Sequence, residues 1–308
     1  MIAFGCAISD SDRYERYAKR GIQLAVEPDG IVFAQASPGS VARIYNLILE
    51  QAAGHDDLEA LVLIDERAEI LDPQFCQKIR RALSDPRVAV VGCAGATGVR
   101  SIAWWEGTVT WASSVYRDDE LGGEEFPGLP LAGQNGDGPR TGEVDAVDGV
   151  VLGLSAWAAR ELRFDESLGP RYGYEFDFCM QARAADRKIV TEDLKLAHYY
   201  PLAVIDDPDT WIEAHMRAAE KWDGRMPKGV EVEQDWKLRA RRAEAEAATA
   251  RLLSASKMYE IQALAWEHER QLEAATDSLS WRITAPLREM STAYRTVRER
   301  RTSEPSGD

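Results

Sequence analysis

At 308 residues, with 45% hydrophobic and 29% charged positions, the chain has material for one large domain with an appendage, or for two domains, which excludes a disordered chain. Its net charge of −15 lies at the front: residues 230–308 hold 13 Lys/Arg against 14 Asp/Glu, and residues 1–229 hold 24 against 38. So acidic a body lacks the basic stripe that duplex nucleic acid requires, and an anionic ligand needs a locally positive pocket or a bound cation.

From the N-terminus, Ile2–Ile8 is a short apolar run without the basic leader and cleavage site of a signal peptide. No run in the chain reaches the roughly 20 apolar residues of a membrane span, so the expected location is cytoplasmic. Ile22–Val26, Ile31–Ala34, Leu61–Ile64 and Val88–Val91 are further strand-like runs, separated by amphipathic stretches such as Val41–Ala52 and Phe75–Leu83. Strands alternating with helices predict an α/β fold with a largely parallel sheet covered on both faces. The Gly/Pro-rich stretch Gly122–Gly142 reads as a loop, followed by a strand at Val147–Leu154 and a helix from about Phe178 to Ala185. From about Val232 to Glu299 the chain becomes rich in Ala, Glu, Arg and Leu, as long helices require. Its imperfect heptads suit either a docked helical hairpin or an oligomerising coiled coil. Cys6, Cys76, Cys93 and Cys179 are scattered, form no CxxC pair and read as reduced, packed thiols.

Three segments can carry chemistry. In LVLIDERAEILDP (Leu61–Pro73) four apolar residues stop at Asp65, Glu66 and Arg67. A carboxylate beyond the carboxyl end of a parallel strand can hold a divalent ion or a ribose hydroxyl, although a solvated loop explains the same charges. In Val147–Lys188, Glu175 and Asp177 precede a helix; capping and the helix dipole account for Asp177, whereas Glu175 is placed to take a proton from an attacking hydroxyl. In KLAHYYP, His198 ends an apolar stretch, as a metal ligand or as an ordinary hydrogen-bonded histidine. Trp104, Trp105 and Trp111 suit core or lid packing and also the stacking of a sugar face.

The order of these segments resembles family 2 glycosyltransferases, in particular the branch with a glycosyltransferase-like domain related to a streptomycin-biosynthesis protein. The resemblance covers about residues 1–200, through SVARIYNLIL, the acids after Leu61–Ile64, the VDG strand, the FDESL turn, YEFDFCMQAR and the final histidine. It implies a GT-A fold, a Rossmann-like and mostly parallel sheet flanked by helices. A nucleotide-binding half at about 1–100 and an acceptor half at about 101–229 would then precede a helical C-terminal extension, 230–308, with a disordered end. Carried over residue by residue, Glu27 and Asn46 fall at nucleotide-side positions, Asp65 and Glu66 in the DxD-like segment and Glu175 at the base. Asp148 and Gly149 match the strand facing the acceptor, which Trp104 and Trp105 could flank, and Asp65 with His198 matches the metal site. Asp177 and Arg67 complete the catalytic set.

One departure stands out: Arg67 occupies the place of the third DxD residue, normally the acid that holds Mn2+ or Mg2+. Either Glu66 or Glu69 substitutes as ligand, or Arg67 itself neutralises the diphosphate leaving group and no metal is needed; the second alternative is preferred. The implied activity is an inverting transfer from a nucleotide sugar to the hydroxyl of a glycan, lipid-linked, protein or small-molecule acceptor. The alternatives are a non-catalytic, degenerate scaffold, and a sugar nucleotidyltransferase, for which Ser9–Arg13 lacks the Gly-rich phosphate loop. In the tail, Ser278–Met290 places Trp281, Ile283 and Leu287 beside Arg282 and Arg288, a pattern for peripheral membrane contact or docking on the enzyme body.

Overall fold

The computed structural model describes residues 1–36, 39–107, 109–117, 129–130, 141–199, 207–230, 266 and 268–272. The expected Gly/Pro loop apart from 129–130 and 141–142, Trp111's side chain, most of the helical extension and Ser278–Met290 lie outside the described residues. By internal contacts the chain divides into two compact units, Met1–Glu233 and Gln234–Asp308.

The first unit begins with β1 (Ile2–Ile8), α1 (Ser11–Arg16), α2 (Ala18–Ala25), β2 (Ile31–Ala36), α3 (Val41–Ala53), β3 (Ala60–Ile64), β4 (Ala68–Ile70), α4 (Phe75–Ala82), β5 (Val88–Gly92) and β6 (Ala94–Thr97). It continues through β7 (Val109–Ala112), β8 (Ser114–Arg117), β9 (Leu129–Pro130), β10 (Gly142–Val144), β11 (Ala146–Val147), β12 (Val151–Ser155) and α5 (Ala156–Glu161). It closes with α6 (Tyr174–Ala184), β13 (Lys188–Thr191), β14 (Leu196–Tyr199) and α7 (Pro208–Trp222).

Seven strands form the central sheet in the order β10-β13-β5-β12-β3-β1-β2. Five run one way, and β12 and β10 run the other. Alternation along β1 puts helices on both faces. Phe4 meets Phe75 of α4, while the next residue, Gly5, leaves the opposite face open to Ile48 of α3, 2.7 Å from where a Cβ would sit. The inner strands β3 and β5 are buried at every position, which is why they read as continuous apolar runs. A second sheet, β4-β14-β8-β9, lies beyond the end of β3.

Ile22–Val26, expected as a strand, belongs instead to the end of α2. Its buried residues, Ala18, Gly21, Ile22 and Ala25, recur at helical spacing, and Leu24 is left exposed. The expected strand Val147–Leu154 is two strands, because Asp148 and Gly149 break the ladder between β11 and β12. Helix α6 starts a turn earlier than expected, behind Gly173, whose φ of 79° needs no Cβ.

Candidate active site

The carboxyl ends of β1 and β3 open into a cleft of about 800 Å3, within the range of small-ligand sites. Its walls include Ser9, Arg13, Asp65, Glu66, Arg67, Asp148, Gly149, Tyr174, Glu175 and His198. Antiparallel pairing of β12 with β3 continues one step past the strand, the Asp65 N–H donating to the Val150 carbonyl at 3.0 Å, and this brings Asp65 beside the Asp148–Val150 turn. Antiparallel pairing of β4 with β14 sets His198 opposite Ala68, and Tyr199 N–H donates to the Arg67 carbonyl at 2.9 Å. That register carries His198 back to the DER segment, with Nε2 3.6 Å from Asp65 Oδ1.

The carboxyl groups of the cleft differ electrostatically. Burial pushes Asp65 up, but the hydrogen bond and charge of His198, with the Arg67 N–H and guanidinium, outweigh it and hold Asp65 below its ordinary value. Burial raises Asp148; His198, the Val150 N–H and the Trp104 indole pull against it without cancelling it. Glu175, in the first turn of α6, is pushed up to about 8, chiefly by burial and further by the charge of Asp148. A carboxyl of that kind accepts a proton readily near neutral pH.

Other expected site residues lie elsewhere. Glu27 sits at the opposite end of the sheet, where Arg80 grips it through two hydrogen bonds of 2.7 and 2.6 Å and also reaches Glu59, partner of the N-terminal ammonium. Asn46 is a clamp: its Nδ2 donates to the Phe164 carbonyl at 2.9 Å and its Oδ1 accepts from the Phe164 N–H at 2.9 Å. Asp177 is fully buried and turned from the cleft, neither a cap nor a cleft group. It accepts from Trp222 Nε1 and Gln181 Nε2 at 2.9 and 2.7 Å and pairs with Lys221 at 2.7 Å, locking α6 to α7. Trp104 is core, not an open stacking face, and its indole works to lower Asp148. Trp105 is 42% exposed, sets its ring edge-on to Trp104 and is not a lining residue of the cleft.

Neither acid proposed to replace the missing DxD ligand is placed to do so. Glu66, though it borders the cleft, is already engaged by Ser9 N–H, Ser9 O–H and Asp10 N–H at 2.6, 2.7 and 3.0 Å and by the Arg13 guanidinium at 3.9 Å. Glu69 accepts from the Tyr199 hydroxyl at 3.1 Å and pairs with Arg20. Among the described residues no group of three or more His, Cys, Asp and Glu side chains could hold a metal. Asp65 and His198 do fit as two ligands of a divalent ion, a carboxylate oxygen and an imidazole nitrogen facing one cleft.

Several lining residues escape notice in the sequence: Arg13, Ser40, Arg171, Tyr172 and Tyr174. The position of Ser9 and Arg13 directly after an apolar strand is a usable signal for the first of them. Tyr174 is set by a close approach, since a Cβ on Gly149 would lie 2.5 Å from its hydroxyl.

No protein-family model matches the chain. It is similar to the streptomycin biosynthesis protein StrF of Streptomyces griseus, 26% identical over 201 residues that span 63% of this chain and 65% of that protein. Among solved structures it is similar to GalNAc-T7 with UDP, GalNAc and Mn2+, at TM-score 0.47 and 10% identity over 72% of this chain and 48% of that one. It is also similar to the mannosyltransferase PcManGT of Pyrobaculum calidifontis in complex with GDP-Man and Mn2+, at TM-score 0.46 and 13% identity over 92% and 82%. No helix among the described residues is long and apolar enough to cross a membrane.

Proposed function

We propose that this chain is a glycosyltransferase of the GT-A type that uses a nucleotide-sugar donor and inverts the anomeric carbon. The observation that carries the proposal is the convergence of Asp65, Arg67, Asp148, Glu175 and His198, from distant parts of the chain, on one cleft at the carboxyl ends of β1 and β3. Three guanidinium groups, Arg13, Arg67 and Arg171, line that cleft in a chain of net charge −15, which suits an anionic diphosphate.

In this mechanism Glu175 takes the proton of the acceptor hydroxyl as its oxygen attacks the anomeric carbon, and the bond from that carbon to the donor phosphate breaks. Arg67 and Arg13 receive the charge that develops on the departing nucleoside diphosphate. Asp148 keeps Glu175 proton-avid and orients the acceptor. Asp65 and His198 would hold a divalent cation, which when bound supplies further neutralisation of the diphosphate. Glu66 anchors Ser9 and Asp10, which lead into α1, the helix that carries Arg13.

The test is a panel of nucleotide sugars, each with Mn2+, Mg2+ or chelator, read by thermal shift and by nucleoside diphosphate release. A stabilising donor that is turned over supports the proposal. Stabilisation without release on any acceptor class would instead support a binding protein, for which the arginine in the DxD-like segment is the favouring observation. Pyrophosphate release from a nucleoside triphosphate and a sugar phosphate would indicate a nucleotidyltransferase.

A further inference from the structure

We infer that Asp145 is a positioning residue that holds, from outside the cleft, the turn on which both Asp148 and Glu175 rest. Asp145 lies between β10 and β11 and is 1% exposed. Its carboxylate gathers three separate segments. Gly98 and Val99 N–H donate to Oδ2 at 2.6 and 3.3 Å, Val230 N–H donates to Oδ1 at 2.8 Å, and Arg183 of α6 forms an ion pair with Oδ1. Arg183 also donates to the Lys228 carbonyl, so the 228–230 segment is fastened at two points.

The turn that starts at Gly98, with φ of 71°, leads to the cleft wall twice. Ile102, 2% exposed, packs on Gly173, where a Cβ would lie 3.0 Å from its methyl carbon; Gly173 caps α6 immediately before Tyr174 and Glu175. Two residues on, the buried Trp104 indole stands near enough to Asp148 to hold its carboxyl down, and the Asp148 N–H donates at 2.8 Å to the Ala94 carbonyl of β6, the strand that runs into this turn. The two carboxyl groups proposed for acceptor orientation and proton transfer therefore share one support, and its origin hangs on a single carboxylate. An ion pair that served only to bridge β10 and α6 would not need two N–H donors from the head of this turn. Such an anchored support is what fixes reacting groups to within a fraction of an ångström.

The kinetic part of this inference rests on the glycosyltransferase proposal; the structural part does not. The full chain carrying Asp145→Asn is compared with wild type and with Arg80→Ala, which breaks the Glu27–Glu59 cluster at the other end of the sheet. Two readouts are taken below the melting temperature of each protein: hydrogen exchange of the Trp104 indole N–H by NMR, and the division of turnover between kcat and the donor KM. In Asp145→Asn the indole exchanges about tenfold faster or more and kcat falls by about tenfold or more, with donor KM within about twofold, because the cleft wall loosens while the nucleotide side stays intact. Arg80→Ala lowers the melting temperature and moves neither readout.

Should Asp145→Asn not fold, Asp145→Leu/Arg183→Met removes both buried charges together, leaves the Gly98 and Val99 N–H groups without the carboxylate, and is held to the same expectation. An indole exchange rate and kcat both within twofold of wild type in a folded variant overturn the inference. If wild type turns over no nucleotide sugar, the glycosyltransferase proposal fails, and indole exchange alone decides the role of Asp145.

Discussion

In the proposed mechanism Glu175 concentrates the chemistry of the cleft in one proton. With its carboxyl raised to about 8, turnover should climb as pH rises through that value, because only the ionised form accepts the acceptor's proton. Glu175→Gln should lower kcat by about 10²- to 10⁴-fold while leaving the thermal shift given by a nucleoside diphosphate intact. Stability follows the same group with a definite sign. Between the ordinary 4.5 of an unfolded glutamate and about 8, the folded state binds more protons than the unfolded one, so stability falls as pH rises across that window. Glu175→Gln should flatten the decline, read as melting temperature between pH 5 and pH 9. Asp177, two residues on, shows why sequence alone separates such neighbours poorly. One carboxylate faces the cleft and the other faces Trp222 and Lys221, which lie 45 and 44 positions further along the chain. Asp177→Asn removes the buried carboxylate that Trp222 donates to and that Lys221 shares with Asp165, and should cost about 1.5–3 kcal/mol in denaturant unfolding, with donor binding retained. Glu27 and Asn46 present the same difficulty, since their partners Arg80 and Phe164 are remote in the chain.

At the scale of elements, the two segments that build the cleft differ in how openly they declare themselves. The end of β3 is plain in the sequence, because a fully buried strand must be apolar throughout and Asp65 breaks the run. His198 stands at its end too, but what brings it to Asp65 is the β4–β14 register, an antiparallel pairing across more than a hundred residues that leaves no local mark. The short strand β4 depends in turn on α2, whose Gly21 lies against it so closely that a Cβ would run into the Ile70 nitrogen and come within 3.1 Å of the Glu69 carbonyl carbon. Because the obstacle is backbone, side-chain rotation cannot relieve it. Gly21→Ala should therefore push α2 off β4 and cost about 1–3 kcal/mol, as overpacking does, despite alanine's better helix propensity. The same displacement would part the stacked rings of Tyr17 and Tyr199, 4.0 Å between centroids, and so move His198's strand. The variant should thus lose both melting temperature and metal response.

For the molecule as a whole, an acidic protein that handles an anionic ligand must reverse its own field locally. Arg13, Arg67 and Arg171 contribute to that reversal, yet Asp65, Glu66, Asp148 and Glu175 line the same cleft, so the three guanidinium groups are outnumbered by four carboxyl groups. A divalent cation between Asp65 and His198 would tip the balance toward the diphosphate, and with only those two side chains as ligands it would take donor oxygens to complete its shell. Binding to the folded state alone adds RT ln(1 + [L]/Kd) to stability, about 2.7 kcal/mol at a hundredfold excess over Kd. Mn2+ and a nucleoside diphosphate should therefore stabilise the protein more together than the sum of their separate shifts, since each supplies the other's missing ligands. His198→Ala should abolish the synergy while sparing the shift from nucleotide alone. If the two shifts prove additive in wild type, then the guanidinium groups suffice to hold the donor, and Arg67 stands in for the metal that its neighbours resemble a site for.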